Sequence, residues 1–453
     1  MTRPWIPTEL IELIASHVDL QTFRSLRLTN VELSRQTAYY LRNQFLRKQH
    51  LAWSRESLDR FVEINTHAVF AGAMQHLVID ATPYHAIALL EVNERITVER
   101  LSLAQYRYPH NPSSELLKQQ TDARNAAARA VRDAKFFNEA GYDLKCLVSV
   151  FKRLERLESV TFEYGRRECE YSKFVSRSSE YNLAEMSRPF LSTMAAIAET
   201  KLPVYSILRN RQSGFGAMTM GRFESLAPSL GNFDAAFEKL STMQLSLRGW
   251  REPDDSFALN ETTRASFLVC FLSKAKNVQH LYLNGCSHFE SIARHCQFTK
   301  LKSCVLSTFP TNFGSDNDLE NFLIPCSNTL VDLSLHGLLL PGDGDRWPML
   351  LAELAGSKKV LQALEVLTLK DLFTTGGYIV YGARTGYINE ARGNSLVDER
   401  AVPLPIPGIP YGERGSVGGE WREEVETGLH QNDSYEGSRA EWLNMVRGQF
   451  GSQ

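Results

Sequence analysis

The amino-acid sequence predicts an α/β fold in three parts: three short N-terminal helices, then an irregular α/β solenoid, then a Gly/Pro-rich C-terminal tail. Residues 6–30 are rich in leucine and isoleucine and carry helix-capping signals. From residue 74 onward one strand pattern recurs, and most of its copies follow an amphipathic helical segment. Beyond residue 375 the composition changes, because residues 376–453 contain 14 of the 28 glycines. Each observation predicts one part of the fold.

The composition is that of an ordinary globular protein. Of 453 residues, 43% are hydrophobic and 23% are charged, and the formal net charge is only -2. So balanced a charge favours neither nucleic acid nor a membrane as a partner. The longest apolar run, residues 267–272, is far too short to span a bilayer, and the N-terminus lacks a secretory-signal pattern. We therefore expect a protein of the cytoplasm, the nucleus or both, with its seven scattered cysteines reduced.

The N-terminal segment predicts three helices within its first 46 residues. Thr8 is the expected N-cap of the first helix and Asp19 that of the second. Thr29 and Glu32 form a T-x-x-E capping box for a third helix, which we expect to end near Leu46. Three short helices cannot hide this many apolar side chains from water, so some of them are expected to face a partner.

Residues 6–36, IPTELIELIASHVDLQTFRSLRLTNVELSRQ, resemble an F-box, a docking motif that begins with a Leu-Pro pair and ends in a Leu-x-x-Leu-Arg-Leu segment. The wider opening, through residue 64, resembles the F-box proteins of filamentous fungi. The resemblance implies that this region docks a Skp-type adaptor, which joins it to the cullin scaffold of a ubiquitin ligase. The positions implied to contact that adaptor are Ile6, Pro7, Leu10, Ile14, Leu20, Leu26 and Leu28.

The recurring strand pattern is apolar-x-x-apolar-x-apolar. Its copies are centred on Leu77, Leu101, Val160, Tyr205, Leu245, Leu281, Cys304, Leu333 and Leu367. Because each copy brings a helix and a strand that bury one face on their neighbours, the copies are expected to stack into a curved solenoid. This region resembles a degenerate leucine-rich-repeat array, in which Asn210 and Cys286 would bond backbone groups of the turns. The alternative is an ordinary α/β domain with helices on its sheet.

These predictions divide the chain into an F-box (1–50), a helical linker (51–73), a leucine-rich-repeat-like solenoid (74–375) and a Gly/Pro-rich region (376–453). Residues 113–141 are predicted to form a solvated helix, because large apolar side chains are sparse there. In the last region we expect a short hairpin around Tyr378, Tyr381 and Tyr387, one helix near the end, and otherwise loops.

No catalytic motif stands out in the sequence. It contains no phosphate-binding G-x-x-x-x-G-K-[ST], no H-E-x-x-H and no G-x-S-x-G. Cys286, His288, His295, Cys296 and, further on, Cys304 are zinc-ligand types, but their spacing matches no ordinary zinc finger. We therefore expect no metal, no cofactor and no enzymatic activity.

The sequence thus predicts a substrate-recognition adaptor of a Skp/cullin/F-box (SCF) ubiquitin ligase, whose repeat region binds an unidentified protein substrate. Because strand side chains alternate between faces, the neighbours of the buried leucines are expected to line a concave partner-binding face. The predicted binding residues there are Arg248, Tyr282, Asn284, His336 and Lys370. The alternatives are a scaffold that binds a partner without ubiquitination and an enzyme whose site lies in residues 376–453.

Overall fold

The computed structural model describes residues 7–81, 92–93, 95–97, 113–163, 180–209, 218–248, 261–286, 289–309, 317–340, 347, 350, 363–370, 372–374, 377–382, 386–389 and 434–438. Its α-helices include α1 (Thr8–Ser16), α2 (Leu20–Thr29), α3 (Val31–Gln36), α4 (Ala38–Phe45), α5 (Arg55–Thr66), α6 (Ser114–Ala140), α7 (Tyr142–Phe151), α8 (Glu180–Thr200), α9 (Phe233–Ala236), α10 (Glu261–Ser273), α11 (Phe289–His295) and α12 (Asn317–Leu323), with 3-10 helices at Met220–Asn232 and Ile324–Cys326. Its strands are β1 (Lys48–Ala52), β2 (His76–Asp80), β3 (Ser159–Glu163), β4 (Ser206–Arg209), β5 (Met218–Thr219), β6 (Thr242–Arg248), β7 (His280–Asn284), β8 (Ser303–Phe309), β9 (Asp332–Leu340), β10 (Val366–Lys370), β11 (Leu372–Thr374), β12 (Gly377–Gly382), β13 (Gly386–Asn389) and β14 (Ser434–Ser438).

The N-terminal segment forms four helices rather than the three predicted. Asp19 caps α2 as expected, since its carboxylate accepts a hydrogen bond from the Thr22 amide at 2.7 Å. The N-cap of α1 is Pro7 rather than Thr8, and that of α3 is Asn30 rather than Thr29. The expected third helix is divided at Thr37, whose buried hydroxyl donates to the carbonyl of residue 33.

These four helices have a small apolar core of their own. Phe23 is fully buried, and its ring centroid lies 5.4 Å from those of both Tyr40 and Phe45. Ile11 and Ala15 of α1 are also buried, one turn apart on the same side of the helix. Because this core uses only a few side chains, many apolar residues of the same helices are left outside it.

The main body is a mixed α/β structure built on a mostly parallel sheet of ten strands. Nine strands pair in parallel in strict chain order, β1-β2-β3-β4-β6-β7-β8-β9-β10, and β14 pairs antiparallel with β10 at the end. The short β5 pairs with β6, while β11 pairs with the end of β9 and leads into β12 and β13. The helices between the strands also contact one another in chain order: α5 packs on α7, α7 on α8, α8 and α10 both on the 3-10 helix Met220–Asn232, α10 on α11, and α11 on α12.

Two rows of side chains run across the sheet on its helix-covered side. One row contains Leu77, Val160, Ile207, Met243, Leu281, Cys304, Leu333 and Leu367, and the other contains Leu51, Ile79, Phe162, Leu245, Leu283, Leu306, Leu335 and Leu369. All of these apolar side chains are buried in one core with the helices, and β4 adds the buried Arg209 to the second row, opposite Phe162. The rows are continuous because the register places the core-facing residues of each strand beside the core-facing residues of the next.

The register corrects two of the predicted strand centres. In β4 the central position belongs to Ile207 rather than Tyr205, because Val160 pairs with Ile207. In β6 Met243 stands beside Leu281, and Leu245 stands one pleat further along. Both shifts equal two residues, so each strand still turns its predicted face to the core. The predicted copy at Leu101 lies outside the described residues.

The sheet extends beyond the limits that the sequence predicted for it. It begins at β1 rather than at residue 74, and α5 buries Leu58 and Phe61 in the common core, so residues 51–66 are part of the main body rather than a linker. At the other end, β12 and β13 form a hairpin with Tyr381 opposite Tyr387. A strand that the sequence did not predict, β14, pairs with β10 along five residues.

One buried ion pair joins α7 to α8. The Asp143 side chain is fully buried, and the Arg188 guanidinium donates to both of its carboxylate oxygens at 2.8 Å. The Ser192 hydroxyl donates to the same carboxylate at 2.7 Å. Arg188 also lies over the Phe137 ring, 5.8 Å from its centroid. Among the described residues, Arg188 neutralises the buried charge of Asp143, and Ser192 adds a third hydrogen bond to its carboxylate.

We expect the variant Arg188→Met to be strongly destabilised. It removes the cation and leaves the Asp143 carboxylate buried with Ser192 as its remaining described donor, a change that costs about 3–5 kcal/mol of unfolding free energy. Urea denaturation measures the loss. The matched control is Arg60→Met, which breaks an exposed 2.6 Å salt bridge with Glu56 and should cost about 1 kcal/mol or less. Equal, small losses in both variants would contradict the structural role of the pair.

Candidate functional site

The candidate binding surface is the sheet face opposite the helices, called here the open face. It is formed by the strand residues that alternate with the buried rows, and most of these side chains are half-buried or exposed. Leu245, Leu281, Leu333 and Leu367 lie on the helix side, at 2% exposure or less. The strand neighbours of these leucines are half-buried or exposed, except Ser246 and Ser334, which are buried.

Three of the five predicted partner-binding residues lie in one line across the open face. Asn284 pairs with Ser307, Ser307 with His336, and His336 with Lys370, while Ser246 precedes Asn284 on the adjacent strand. We call these five residues the polar row. They lie on the five consecutive parallel strands β6 through β10. Adjacent strands bring together residues that are far apart in the sequence.

The other two predicted residues lie outside this line. Tyr282 is half-buried and stands one pleat before Asn284 on β7, between Gln244 and Val305. Arg248 is the last residue of β6, where its backbone pairs with Thr219 of β5. The side chain of Arg248 lies outside the described part of the structure. The predicted residues therefore form one row with an aromatic residue beside it.

Two polar atoms in the polar row are buried and have no hydrogen-bond partner among the described residues: Asn284 Oδ1 and His336 Nε2. The amide nitrogen of Asn284, Nδ2, is paired, since it donates to the Ser246 hydroxyl at 3.1 Å. A buried polar atom left unpaired costs about 1–3 kcal/mol. Most such groups in folded proteins are paired, so two of them in one row make this row a candidate binding site.

The electrostatic environment keeps His336 neutral. Burial lowers the pKa of the imidazole below its usual value of 6.5, the positive charge of Lys370 lowers it further, and Asp332 opposes them. Because desolvation disfavours the charged form of histidine, the ring acts as a neutral hydrogen-bonding group near pH 7. The polar row therefore combines one cation, one neutral imidazole and one unpaired amide oxygen.

The second candidate surface lies on the N-terminal helices. Leu10 and Ile14 are each 51% exposed on α1, and Leu28 is 88% exposed near the end of α2. Pro7 and Leu26 are half-buried. Ile6 lies outside the described residues, and so does the side chain of Leu20. Three of the predicted docking residues are thus free to contact a partner.

Further exposed apolar side chains on these helices were not among the predicted docking residues. Leu13 is 57% exposed and extends the α1 stripe, since it stands three residues from Leu10. Val31 and Tyr39 are 85% and 67% exposed on α3 and α4. The i, i+3, i+4 spacing contained the signal for Leu13, whereas Val31 and Tyr39 required knowledge of which way α3 and α4 turn.

The cysteine-rich segment that contains zinc-ligand types has no metal-binding geometry in the described residues. No group of three or more potential ligands is assembled there, and His288 lies outside the described residues. Cys286, Cys296 and Cys304 are buried in the common core. Burial raises the pKa of the Cys296 thiol to about 12 and that of Cys304 well above its ordinary value. These thiols stay protonated and pack as small apolar groups.

One constellation at the opposite ends of the strands resembles a catalytic arrangement. His76 Nδ1 lies 2.9 Å from the Ser159 hydroxyl, and its Nε2 lies 3.4 Å from the Glu158 carboxylate. A serine nucleophile also requires free N–H donors for the developing oxyanion. Here the amides of Glu158 and Ser159 both donate to the carbonyl of Gln75, at 2.8 and 3.2 Å. The contacts therefore act as cross-strand pairing between β2 and β3.

No known protein-family model matches the chain, and no curated protein is similar to it in sequence. The resemblances to F-box and leucine-rich-repeat proteins therefore remain predictions that rest on the residues quoted above. Among the described residues, no helix is long and apolar enough to cross a membrane.

We expect His336 to make the protein less stable as the pH falls. Since folding holds the pKa of this imidazole below 6.5, the unfolded chain takes up the proton more readily, and unfolding is favoured as the pH falls below about 6.5. His336→Gln should therefore flatten the decline of the unfolding free energy between pH 7 and pH 5, measured by urea denaturation. The control His280→Gln, at an exposed position of β7, should keep the wild-type slope. A wild-type slope in His336→Gln would refute the assignment.

Proposed function

We propose that this chain is a substrate-recognition adaptor of an SCF ubiquitin ligase, in which the N-terminal helices dock a Skp-type adaptor and the open face holds a protein substrate. One observation carries the proposal. Of the eleven large apolar side chains exposed in the described residues, six lie between Leu10 and Tyr39. So much exposed apolar surface on such short helices is typical of a protein-binding site. The resemblance of residues 6–36 to an F-box supplies the identity of the partner.

The strand order supports the leucine-rich-repeat interpretation of the main body. In an ordinary doubly wound domain the strand order reverses within the sheet, and helices cover both faces. Here nine parallel strands follow chain order, and the helices share one core with a single face. A second ladder of hydrogen bonds runs just before the strands, where the amides of Gln279, Lys302 and Val331 each donate to the preceding repeat at 2.7–2.8 Å. Stacked repeats of this kind produce a solenoid.

The proposed function requires no chemistry from the chain itself. Holding a substrate beside a ubiquitin-charged enzyme converts an encounter between two molecules into a reaction within one assembly. The gain is an effective concentration set by the geometry of the two binding surfaces. In this proposal the docking helices and the open face act together, and neither supplies a catalytic group.

We expect the double variant Leu10→Asp/Ile14→Asp to abolish binding of a purified Skp-type adaptor, measured by copurification with the full chain. Both residues are half exposed, so the variant should fold normally. Docking would bury both new carboxylates without partners, and each would cost several kcal/mol of binding free energy.

The control for this experiment is Val131→Asp, which places a carboxylate at a residue of α6 that is 59% exposed. This variant should copurify with the adaptor as the wild type does. Undiminished copurification of the double variant would remove the support for the F-box assignment.

A second experiment separates a ligase adaptor from a scaffold that binds without ubiquitination. When cullin activity is blocked in cells, we expect a protein bound to this chain to accumulate and to lose its ubiquitin conjugates. The Leu10→Asp/Ile14→Asp variant should produce the same accumulation, because it disconnects the open face from the ligase. A bound protein whose level and ubiquitination stay constant under both conditions would favour the scaffold.

A further inference from the structure

The polar row contains the unpaired groups of a binding site. In the part of the chain that the structure describes, the buried acceptor Asn284 Oδ1 has no donor and the buried ring nitrogen His336 Nε2 has no partner. The side chains that carry them are only half-buried on the open face. A ligand that lies on this face and supplies the missing hydrogen bonds would recover the free energy lost by leaving them unmade.

The cation of the row is also without a counter-charge. Lys370 is half-buried beside His336 and forms no salt bridge with any residue in the part of the chain that the structure describes. Lys274, by contrast, forms a salt bridge with Asp234 at 2.6 Å. The preferred partner of a half-buried ammonium beside a neutral imidazole donor is an oxyanion.

The register sets the spacing of these groups. Neighbouring strands are about 4.8 Å apart, so Asn284 stands about 10 Å from His336, and Lys370 stands one strand further on. An extended peptide advances about 3.3 Å per residue. A chain lying across the strands therefore covers the distance from Asn284 to His336 with about three residues.

We propose that the polar row binds an extended peptide that presents an oxyanion to Lys370 and His336 and, about three residues away, a hydrogen-bond donor to Asn284. The ammonium of Lys370 and the N–H of the neutral His336 imidazole bind the anion. Asn284 Oδ1 accepts an N–H or O–H of the same peptide. This inference rests on the proposed role of the open face as a protein-binding surface and adds the chemistry that the surface selects.

The oxyanion has three sources in a peptide: an aspartate or glutamate side chain, a free C-terminal carboxylate, and a phosphorylated side chain. Each offers at least two oxygens to an ammonium and an imidazole N–H. All three sources can be tested with an array of nonapeptides in which one position at a time is randomised. One set carries internal Asp or Glu, one carries phosphoserine, and one ends in a free carboxylate, with neutral Gln, Ser and C-terminal amide counterparts.

The purified full chain is titrated against fluorescein-labelled copies of the selected peptides. We expect at least one oxyanion set to bind about tenfold or more tightly than its neutral counterpart, as a hydrogen bond to a charged group provides. Lys370→Met should abolish this preference and Lys370→Arg should keep it. Asn284→Leu should weaken binding of the oxyanion peptide and of its neutral counterpart by the same factor, because Asn284 contacts a different part of the peptide.

The control is Lys276→Met, which removes an exposed lysine just after α10 and should leave the preference unchanged. Thermal unfolding of each variant verifies that it is folded. If no set prefers its oxyanion form, or if Lys370→Met keeps the preference, the inference is wrong. The experiment is independent of the adaptor, so an oxyanion preference would persist even if Leu10→Asp/Ile14→Asp showed that the docking proposal fails.

Discussion

The pairing of each strand with its predecessor in the chain is the constraint on which the rest of the structure depends. From β1 to β10 every pair along the main path is parallel, and the register keeps Leu281, Cys304 and Leu333 side by side. Because the register never slips by one residue, the two buried rows stay on the helix side of the sheet from strand to strand. Long insertions are accommodated outside the ladder. The 27-residue helix α6 lies between β2 and β3 in the chain, yet these strands are direct neighbours.

One-sided burial follows from this constraint and creates the candidate binding face. The described helices pack in one core against the same side of the sheet, and most side chains on the other side are half-buried or exposed. On that side the same ladder that aligns the core also aligns polar residues from five strands. Asn284 and His336 stand there, each with a buried polar atom that no described residue pairs with. Such unpaired groups persist in a folded protein at a cost in stability, and functional sites are where that cost is commonly found.

The N-terminal helices are stabilised differently, because their buried residues are not part of the core that the sheet shares with the other helices. Their aromatic cluster around Phe23 holds them together, while Leu10, Ile14 and Leu28 remain exposed. A helix in the main body, such as α7, instead buries most of its apolar residues in the common core. The described part of the chain therefore carries two exposed surfaces of unlike chemistry, one apolar on the helices and one polar on the sheet.

The sequence by itself determined the features that depend on neighbouring residues. Asp19 caps α2 because its side chain reaches an amide three residues away, and the alternation in β7 and β9 assigns their faces because pleating has a period of two. Tertiary structure decided what depends on segments far apart in the chain. Pairing with β3 made Ile207 rather than Tyr205 the central residue of β4, and β14 became a strand through its partner β10. The unpaired atoms of Asn284 and His336 were also decided by tertiary structure. Whether a buried polar atom has a partner depends on where the other segments of the chain lie around it.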